Sequence, residues 1–303
     1  MKYVITGATS FIGLELVGVL LSRGHSVIAV CRDGSRAAVL PDGVEVVVSD
    51  MEGYGALDGL TGPSDVFVNL AWAGTGHEGR DDAALQELNV RHTLEAAGAA
   101  VRMGCRLFVE SGSQAEYGFM EGLTSEEAPC NPVNEYGKAK LSVKENGFRL
   151  ADDTGMKYLH LRIFSIFGEN DHPWTLVRSC TDKLLRGEDV DLSACTQKWN
   201  FLYVKDAAMQ IALLTEYAVG SVSFRKEVFN IASDDTRVLK EYVEEIRSIA
   251  GGEGKLRYGA IASGRPVSLD PDISKTRGAI GFIASHTFGE IIENYCRQYD
   301  KSI

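Results

Sequence analysis

Three residues in the middle of the chain have the types and spacing needed for acid–base chemistry. Tyr136 and Lys140 are four residues apart in a segment expected to open a helix, so their side chains would share one helix face. A tyrosine with its ordinary pKa of about 10 is a poor acid–base group at neutral pH, but a neighbouring ammonium favours the phenolate. Ser113, at the end of a predicted strand, could hydrogen-bond to the reacting oxygen and share the path of the proton. The sequence therefore predicts Ser113, Tyr136 and Lys140 as a catalytic set.

The first residues predict a strand, a tight turn and a helix. Tyr3 to Ile5 form an apolar run without polar alternation, typical of a strand buried on both faces of a parallel sheet, and we predict it to be the central strand. A glycine turn follows, and after it apolar residues recur with helical spacing. Unpaired amides and the positive dipole end at such a helix N-terminus form a site for a pyrophosphate. The residues predicted to hold it are Gly7, Thr9, Ser10, Phe11, Ile12 and Gly13.

Strand and helix patterns alternate through the first half of the chain. Strands are predicted at 26–31, 44–48, 65–70 and 106–110, with a long helix over 83–103. Parallel strands need crossover helices between them, so this alternation predicts an α/β fold with a doubly wound parallel sheet. The glycine-rich polar stretch 74–82 predicts a mobile loop over the site, in which His77 is a candidate for substrate contact.

Composition limits the classes of function. The chain has 303 residues, of which 45% are hydrophobic, enough for one large domain or two unequal ones. A net charge of −11 argues against nucleic-acid binding, which depends on clustered lysine and arginine. No stretch resembles a membrane span, and a strand that starts at residue 2 leaves no room for a signal peptide, so we expect a cytoplasmic protein. Six scattered cysteines without a C-x-x-C pair predict neither disulfides nor a metal site.

The chain resembles the extended short-chain dehydrogenase/reductases, and within them the nucleotide-sugar epimerase/dehydratase branch. The resemblance rests on TGATSFIG, GSQAEYG, YGKAK and the C-terminal DISK, and it covers nearly the whole chain. It implies a Rossmann fold in which Tyr136 is the general acid/base, Lys140 anchors the nicotinamide ribose and Ser113 is the third catalytic member. Ser10 stands where the family has the middle glycine of its phosphate turn, and its hydroxyl offers a donor at that place.

The residues after the second strand bear on which dinucleotide is bound. Where NAD-binding relatives usually carry Asp, this chain has Cys31, followed by Arg32 and Arg36. An acidic residue there binds the ribose of NAD, whereas guanidinium groups suit the 2′-phosphate of NADP. NADP(H) is therefore favoured, and the alternative, a solvated loop in which Arg32 pairs with Asp33, leaves NAD(H) open. The resemblance implies further cofactor contacts by Asp50, Met51, Leu70 and Ala71.

The residues after Ser113 bear on the reaction. Sugar 4,6-dehydratases place Asp and Glu directly after this serine, whereas this chain has Gln114 and Ala115, so dehydration is not expected. Hydride transfer at one sugar carbon remains, and the NADP-like Arg32 favours net reduction. Because GSQAEYG also resembles CDP- and dTDP-4-keto-6-deoxysugar reductases, we predict an NDP-4-keto-6-deoxysugar reductase. The alternatives are a nucleotide-sugar 4-epimerase with tightly held NAD, a reductase of other ketones, and a catalytically inactive cofactor-binding sensor or scaffold.

The C-terminal part is expected to bind the nucleotide sugar. Ser165 stands where many relatives have an Asn that holds a phosphate, and Trp199 replaces the diphosphate-binding Arg of the family. Lys198 and Arg265 then remain as cations for the diphosphate, and each could equally be a solvated surface side chain. Trp72 departs from the Leu-Ala-Ala of the family and is a further candidate for substrate contact, with core packing as the alternative.

These assignments divide the chain into two predicted parts. A dinucleotide-binding domain covers 1–165, with 200–235 returning to it, and a smaller C-terminal substrate lobe covers 166–199 and 236–303. In many relatives the helices that correspond to 83–103 and to the segment from Tyr136 pair across a two-fold axis. This resemblance predicts a homodimer.

Overall fold

The computed structural model describes residues 1–76, 78–262 and 267–300. Within these residues the strands form one large and two small sheets. The strands are β1 (Lys2–Thr6), β2 (Ser26–Cys31), β3 (Glu45–Val48), β4 (Val66–Asn69), β5 (Leu107–Ser113), β6 (Lys157–Ile163), β7 (Ser165–Phe167), β8 (Val190–Leu192), β9 (Lys198–Tyr203), β10 (Lys226–Ile231), β11 (Thr236–Val238) and β12 (Leu256–Tyr258). The α-helices are α1 (Phe11–Ser22), α2 (Leu57–Thr61), α3 (Ala83–Arg102), α4 (Glu135–Thr154), α5 (Leu176–Leu185), α6 (Val204–Gly220), α7 (Leu239–Ala250), α8 (Ser274–Ile280) and α9 (Phe288–Asp300).

The large sheet has seven parallel strands in the order β10-β6-β5-β4-β1-β2-β3. The predicted alternation of strands and helices therefore gives the doubly wound sheet, which confirms the predicted fold class. One detail of the prediction was wrong, because the middle strand is β4 and β1 lies beside it. Four strands lie on one side of β1 and only two on the other. The apolar sequence of β1 shows that the strand is buried, but it does not show how many strands lie on each side.

Helices cover both faces of the large sheet, as a doubly wound sheet requires. On one face, Tyr3 and Ile5 of β1 pack in a core with apolar residues of α1 and α6. On the other face, Val4 packs in a second core with β4, β5 and the alanine-rich side of α3. Successive residues of β1 thus point to opposite cores, and for that reason the strand reads as a continuous apolar run. Within the described ranges, none of the helices combines the length and the apolarity that crossing a membrane demands.

The C-terminal part builds the two smaller sheets. In one, β9 pairs in parallel with β7 and antiparallel with β11; in the other, β8 pairs with β12. A third apolar core joins these strands to α5, α7 and α9. Between them in the chain, α6 packs against α1 and β10 forms the edge of the large sheet beside β6. The boundaries predicted for the two parts stay a prediction.

The order of the strands reverses between β1 and β4. From β1 the chain continues outward through β2 and β3, whereas β4, β5 and β6 continue in the opposite direction. The connections that leave the carboxyl ends of β1 and β4 therefore diverge and open a crevice above the sheet. Crevices at such reversal points are where open α/β sheets bind their ligands.

Three ionisable side chains, those of Glu116, His160 and Arg162, are buried together beneath the end of β5. Glu116 Oε1 accepts a hydrogen bond from the Ser113 amide at 2.8 Å and also lies 2.8 Å from His160 Nε2. Glu116 Oε2 accepts a hydrogen bond from Arg162 Nε at 2.9 Å. None of the three is more than 2% exposed. Burial disfavours the Glu116 carboxylate, but His160, Arg162 and the Ser113 amide outweigh burial and lower the pKa of Glu116 from 4.5 to about 2.

The lowered pKa of Glu116 predicts a pH-dependent contribution to stability. In the unfolded chain this carboxyl takes up a proton near its ordinary pKa, whereas in the folded chain it does so only near 2. Its contribution is therefore fully present above the unfolded pKa and is lost as the pH falls from about 5 towards 2. We expect Glu116→Gln to reduce the dependence of unfolding free energy on pH in this window by about one proton.

Urea unfolding at a series of pH values between 5 and 3 measures this dependence. Val143→Ala is the matched control, because it removes buried apolar atoms of α4 without removing a titrating group. The control should lower stability at every pH and keep the wild-type slope. Equal slopes for wild type and Glu116→Gln would contradict the assignment.

Candidate active site

A cleft of about 640 Å³ lies above the carboxyl ends of the strands of the large sheet, between that sheet and the small sheet that contains β9. This volume is in the range of small-molecule sites, which span roughly 300–1,000 Å³. The cleft brings together residues that the sequence analysis selected from five separate segments. They are Ser10, Phe11, Ile12, Leu70, Trp72, Ser113, Tyr136, Lys140 and Ser165.

The phosphate turn between β1 and α1 is built by two glycines. Gly7 has a positive φ of 67°, and a Cβ on it would lie 2.8 Å from the Ala71 amide nitrogen. A Cβ on Gly13 would lie 2.2 Å from the carbonyl oxygen of Gly7. Ser10 needs no such space, because it caps α1 by accepting the Gly13 amide at 3.1 Å. The first amides of α1 have no intrahelical partner, and Phe11 and Ile12 line the cleft, so the turn suits a pyrophosphate despite the missing middle glycine.

A second pocket continues from this turn along the ends of β2 and β3. It is lined by the residues predicted to bind the cofactor: Gly7, Thr9, Ser10, Arg32, Arg36, Asp50, Met51, Leu70 and Ala71. Cys31 ends β2 as a buried side chain. The carboxylate of Asp33 accepts the amide and the hydroxyl of Ser35 at 2.9 and 2.8 Å, and these bonds are the first cause of its lowered pKa. The solvated pairing of Arg32 with Asp33 is not seen among the described residues.

Tyr136 and Lys140 are brought to the cleft by the first turn of α4. Asn134 caps this helix by accepting the Gly137 amide at 2.8 Å. A Cβ on Gly137 would lie 2.5 Å from the Ala115 carbonyl oxygen, so glycine allows the helix to approach the segment after β5. Ser113 ends β5, and its hydroxyl accepts the Ala115 amide at 3.2 Å. All three predicted catalytic side chains are no more than 8% exposed and line the same cleft.

The ammonium of Lys140 has a buried counter-ion that the sequence analysis did not select. Lys140 Nζ donates to the Ser111 carbonyl at 2.5 Å and lies 3.4 Å from Glu110 Oε1. The other oxygen of Glu110 accepts the Asn69 side-chain amide at 2.8 Å, and Asn69 in turn accepts the Thr6 hydroxyl at 2.6 Å. Burial raises the pKa of Glu110, and Lys140 and Asn69 oppose that shift. Glu110 could have been found in the sequence, because it is an acid that directly follows the apolar residues of β5.

The loop that follows β4 is hydrogen-bonded to α3, and the mobility expected of 74–82 stays a prediction. Asn89 both accepts the Ala73 amide at 3.0 Å and donates to its carbonyl at 2.9 Å. Gln86 donates to the Gly79 carbonyl at 2.8 Å, and its oxygen accepts the Trp72 indole N–H at 2.9 Å. Both amides are almost completely buried. Nothing in the sequence indicated that Gln86 and Asn89 hold the loop, because they stand inside a helix and their hydrogen-bond partners lie in the preceding loop.

Two side chains of this loop cover Tyr136 and Lys140. The Trp72 ring centroid lies 3.5 Å from the Lys140 ammonium, within cation–π distance, and 6.0 Å edge-on from the ring of Tyr136. The guanidinium carbon of Arg80, a residue that the sequence analysis did not select, lies 4.9 Å from the centroid of the Tyr136 ring. Trp72 and Arg80 both line the cleft.

The residues predicted to bind the substrate are only partly brought together. Ser165 and Trp199 line the cleft with Trp72. Lys198 is not among the described residues that line it, and its ammonium donates to Asp270 at 2.7 Å. The carboxylate of Asp270 therefore already neutralises the ammonium that was predicted to bind a diphosphate. Arg265 and His77 lie outside the described residues.

Comparison with known proteins agrees with this architecture. Residues 3–232 match the model of the NAD dependent epimerase/dehydratase family. The dTDP-6-deoxy-L-talose 4-dehydrogenase (NAD(+)) of Aggregatibacter actinomycetemcomitans is 29% identical over 255 residues, 81% of this chain and 89% of that protein. The UDP-glucose 4-epimerase of Corynebacterium glutamicum is 25% identical over 319 residues, 95% of this chain and 92% of that protein. The crystal structure of a UDP-glucose 4-epimerase of Thermotoga maritima superimposes with a TM-score of 0.86 at 20% identity, over 100% of this chain and 99% of that one.

The family model spans most of the chain, and the solved epimerase shares its fold from end to end. The resemblance first seen in four short motifs thus extends to the order of the strands and to the crevice above them. The protein therefore belongs to the NAD-dependent epimerase/dehydratase family, within the extended short-chain dehydrogenase/reductases, and is a nicotinamide-dinucleotide-dependent enzyme.

Proposed function

We propose that the protein reduces the 4-keto group of a nucleotide-linked 6-deoxysugar. The observation that carries this proposal is the meeting of Ser113, Tyr136 and Lys140 in one cleft with the N-terminus of α1. Gln114 lines the same cleft beside them, and neither it nor Ala115 can exchange a proton with a sugar carbon. The site thus has groups for hydride chemistry at a carbonyl and lacks the pair of acids that loss of water would need.

The residues that would hold the cofactor are those of the phosphate turn and of the pocket beside it, with Arg32 and Arg36 near its ribose phosphate. A bound nicotinamide dinucleotide would supply the hydride. Tyr136 then donates its phenolic proton to the carbonyl oxygen as the alcohol forms, and Ser113 donates a hydrogen bond to the same oxygen. The Lys140 ammonium compensates the developing phenolate, at 6.0 Å from the ring centroid.

A 4-epimerase uses the same three residues and is the second candidate. The relatives favour neither reaction, because a 4-dehydrogenase and a 4-epimerase are similar to this chain at 29% and 25% identity. An inactive sensor or scaffold is less well supported, since Tyr136 and Lys140 are both present and line the cleft. The homodimer and the cytoplasmic location stay predictions. The exposed Leu88 supports the homodimer, because it lies on α3, which packs on α4, and these are the two helices predicted to pair across the two-fold axis.

We expect net reduction when the enzyme meets a 4-keto-6-deoxysugar. The measurement incubates it with NADPH or NADH and a panel of freshly generated CDP-, dTDP- and UDP-linked 4-keto-6-deoxysugars, following the loss of absorbance at the nicotinamide band. One mole of cofactor should be oxidised per mole of sugar reduced. No turnover with any of them, together with interconversion of UDP-hexoses without net oxidation of cofactor, would transfer the assignment to an epimerase.

We expect Tyr136→Phe to lower kcat by about 10³-fold and to leave the Kd of the cofactor nearly unchanged. The substitution removes only the phenolic proton donor, and positioned acid–base groups contribute about 10²–10⁴-fold. Stopped-flow turnover and fluorescence titration of the cofactor measure the two quantities. Tyr217→Phe, on the solvent side of α6, is the matched control and should behave as wild type. A Tyr136→Phe enzyme with ordinary kcat would remove the phenol from the mechanism.

We propose NADP(H) as the preferred cofactor, because Arg32 and Arg36 line the pocket where the adenosine ribose is expected and no acid ends β2. Loss of a charge-assisted hydrogen bond costs about 1.5–3 kcal/mol. Arg32→Gln should therefore raise KM for NADPH by about 30-fold and change KM for NADH less than about twofold. Arg149→Gln on the exposed side of α4 is the control for the lost charge. A wild-type enzyme with strong preference for NADH would refute the proposal.

A further inference from the structure

Arg80 holds a guanidinium in the cleft with part of its hydrogen-bonding capacity committed to its own loop. It belongs to a 3-10 turn (Glu78–Asp81) and is half-buried. Its Nε donates to the Thr75 carbonyl at 2.9 Å, which orients the guanidinium plane. No carboxylate of the described residues forms an ion pair with it, although the chain carries more acids than bases. The two terminal nitrogens are therefore available to a ligand of the cleft.

The loop that carries Arg80 is hydrogen-bonded to α3 at two points. Gln86 bonds the Gly79 carbonyl, next to Arg80, and Asn89 fixes both backbone groups of Ala73 at the other end of the loop. Gly74 and Gly79 also approach closely, since a Cβ on Gly79 would lie 2.4 Å from the Gly74 Cα. The guanidinium thus needs little rearrangement to act, and this lowers the cost of using it to bind.

The position of Arg80 relative to Tyr136 limits what it can touch. Its guanidinium carbon lies 4.9 Å from the centre of the phenol ring. The oxygen that reacts must come within hydrogen-bond distance of that phenol, so substituents on the carbons next to the reacting carbon fall within reach of Arg80. A guanidinium only donates hydrogen bonds, so its partner is an oxygen acceptor on one of those carbons.

Given the proposed 4-keto-6-deoxysugar, only one neighbouring carbon carries a hydroxyl, and that is carbon 3. Carbon 5 bears the methyl group of the 6-deoxysugar, which accepts no hydrogen bond, and the ring oxygen, an ether that is a weaker acceptor than a hydroxyl. We propose that Arg80 donates to the 3-hydroxyl oxygen of the keto-sugar and is a specificity-determining residue of this enzyme. The inference rests on the proposed function, and it divides possible substrates into 3-hydroxy sugars, which the site selects, and 3-deoxy sugars, which it rejects.

The test is a cycle of two substrates and four enzymes. The substrates are the 4-keto-6-deoxysugar that wild type reduces best and its 3-deoxy analogue on the same nucleotide, and the readout is kcat/KM. Wild type should lose about 100-fold on the 3-deoxy analogue, as expected for a lost hydrogen bond to a charged donor. Arg80→Gln should lose about the same factor on the 3-hydroxy sugar and change little on the 3-deoxy analogue. Arg80→Lys keeps the charge and should recover part of the loss.

Arg91→Gln on the exposed face of α3 is the control for the lost charge and should match wild type on both substrates. Titration of the cofactor and thermal unfolding of each variant verify that the fold is retained. If Arg80→Gln lowers kcat/KM equally on both substrates, Arg80 acts only on the loop or on Tyr136 and the inference is overturned. Equal activity of wild type on both substrates overturns it as well. Failure of the proposed function is a different result, because then wild type reduces no member of the panel.

Discussion

The buried ion pair between Lys140 and Glu110 joins the catalytic helix to the floor of the large sheet. Glu110 is bonded to Asn69, and Asn69 to Thr6, so one chain of contacts links α4 to the ends of β5, β4 and β1. These ends surround the point at which the strand order reverses. A buried ion pair seldom adds net stability, but loss of one partner leaves a charge without compensation. The pair therefore fixes where the ammonium lies, and the rest of the site is arranged around that position.

The distribution of charge in the cleft opposes that of the chain. The protein carries a net charge of −11, yet four cations line the two pockets against two acids, Asp50 and Asp171; the cations are Arg32, Arg36, Arg80 and Lys140. Clefts with an excess of one sign of charge concentrate ligands of the other sign, and a dinucleotide and a nucleotide sugar are both anionic. Of the acids next to these cations, one is bonded to its own turn and the other pairs with a cation from beneath the cleft. Asp33 caps its own turn, and Glu110 lies beneath Lys140.

Much of the fold could be predicted because its signals are local. A buried strand, a glycine turn and an amphipathic helix each extend over a few neighbouring residues, and their alternation leads to a parallel sheet. The grouping of Tyr136 and Lys140 in one cleft could be predicted for the same reason, since they are one helical turn apart. The central position given to β1 was wrong, because the order of strands depends on how many are added later at each side.

The contacts that escaped prediction join residues far apart in the chain. Lys198, predicted to bind a diphosphate, lies 2.7 Å from Asp270, a residue 72 positions later in the chain, and no feature of the sequence indicated this ion pair. Arg80 looked like one charge in a polar loop, and only the fold brings it above Tyr136. Glu110 and Glu116 have the same side chain and stand six residues apart, yet burial raises the pKa of the first while three partners lower that of the second to about 2. One holds Lys140 and the other holds the backbone of Ser113, both from beneath the cleft. The Glu116 carboxylate thus fixes the backbone at Ser113 from beneath, while Gln114, the side chain that lines the cleft next to Ser113, carries no charge.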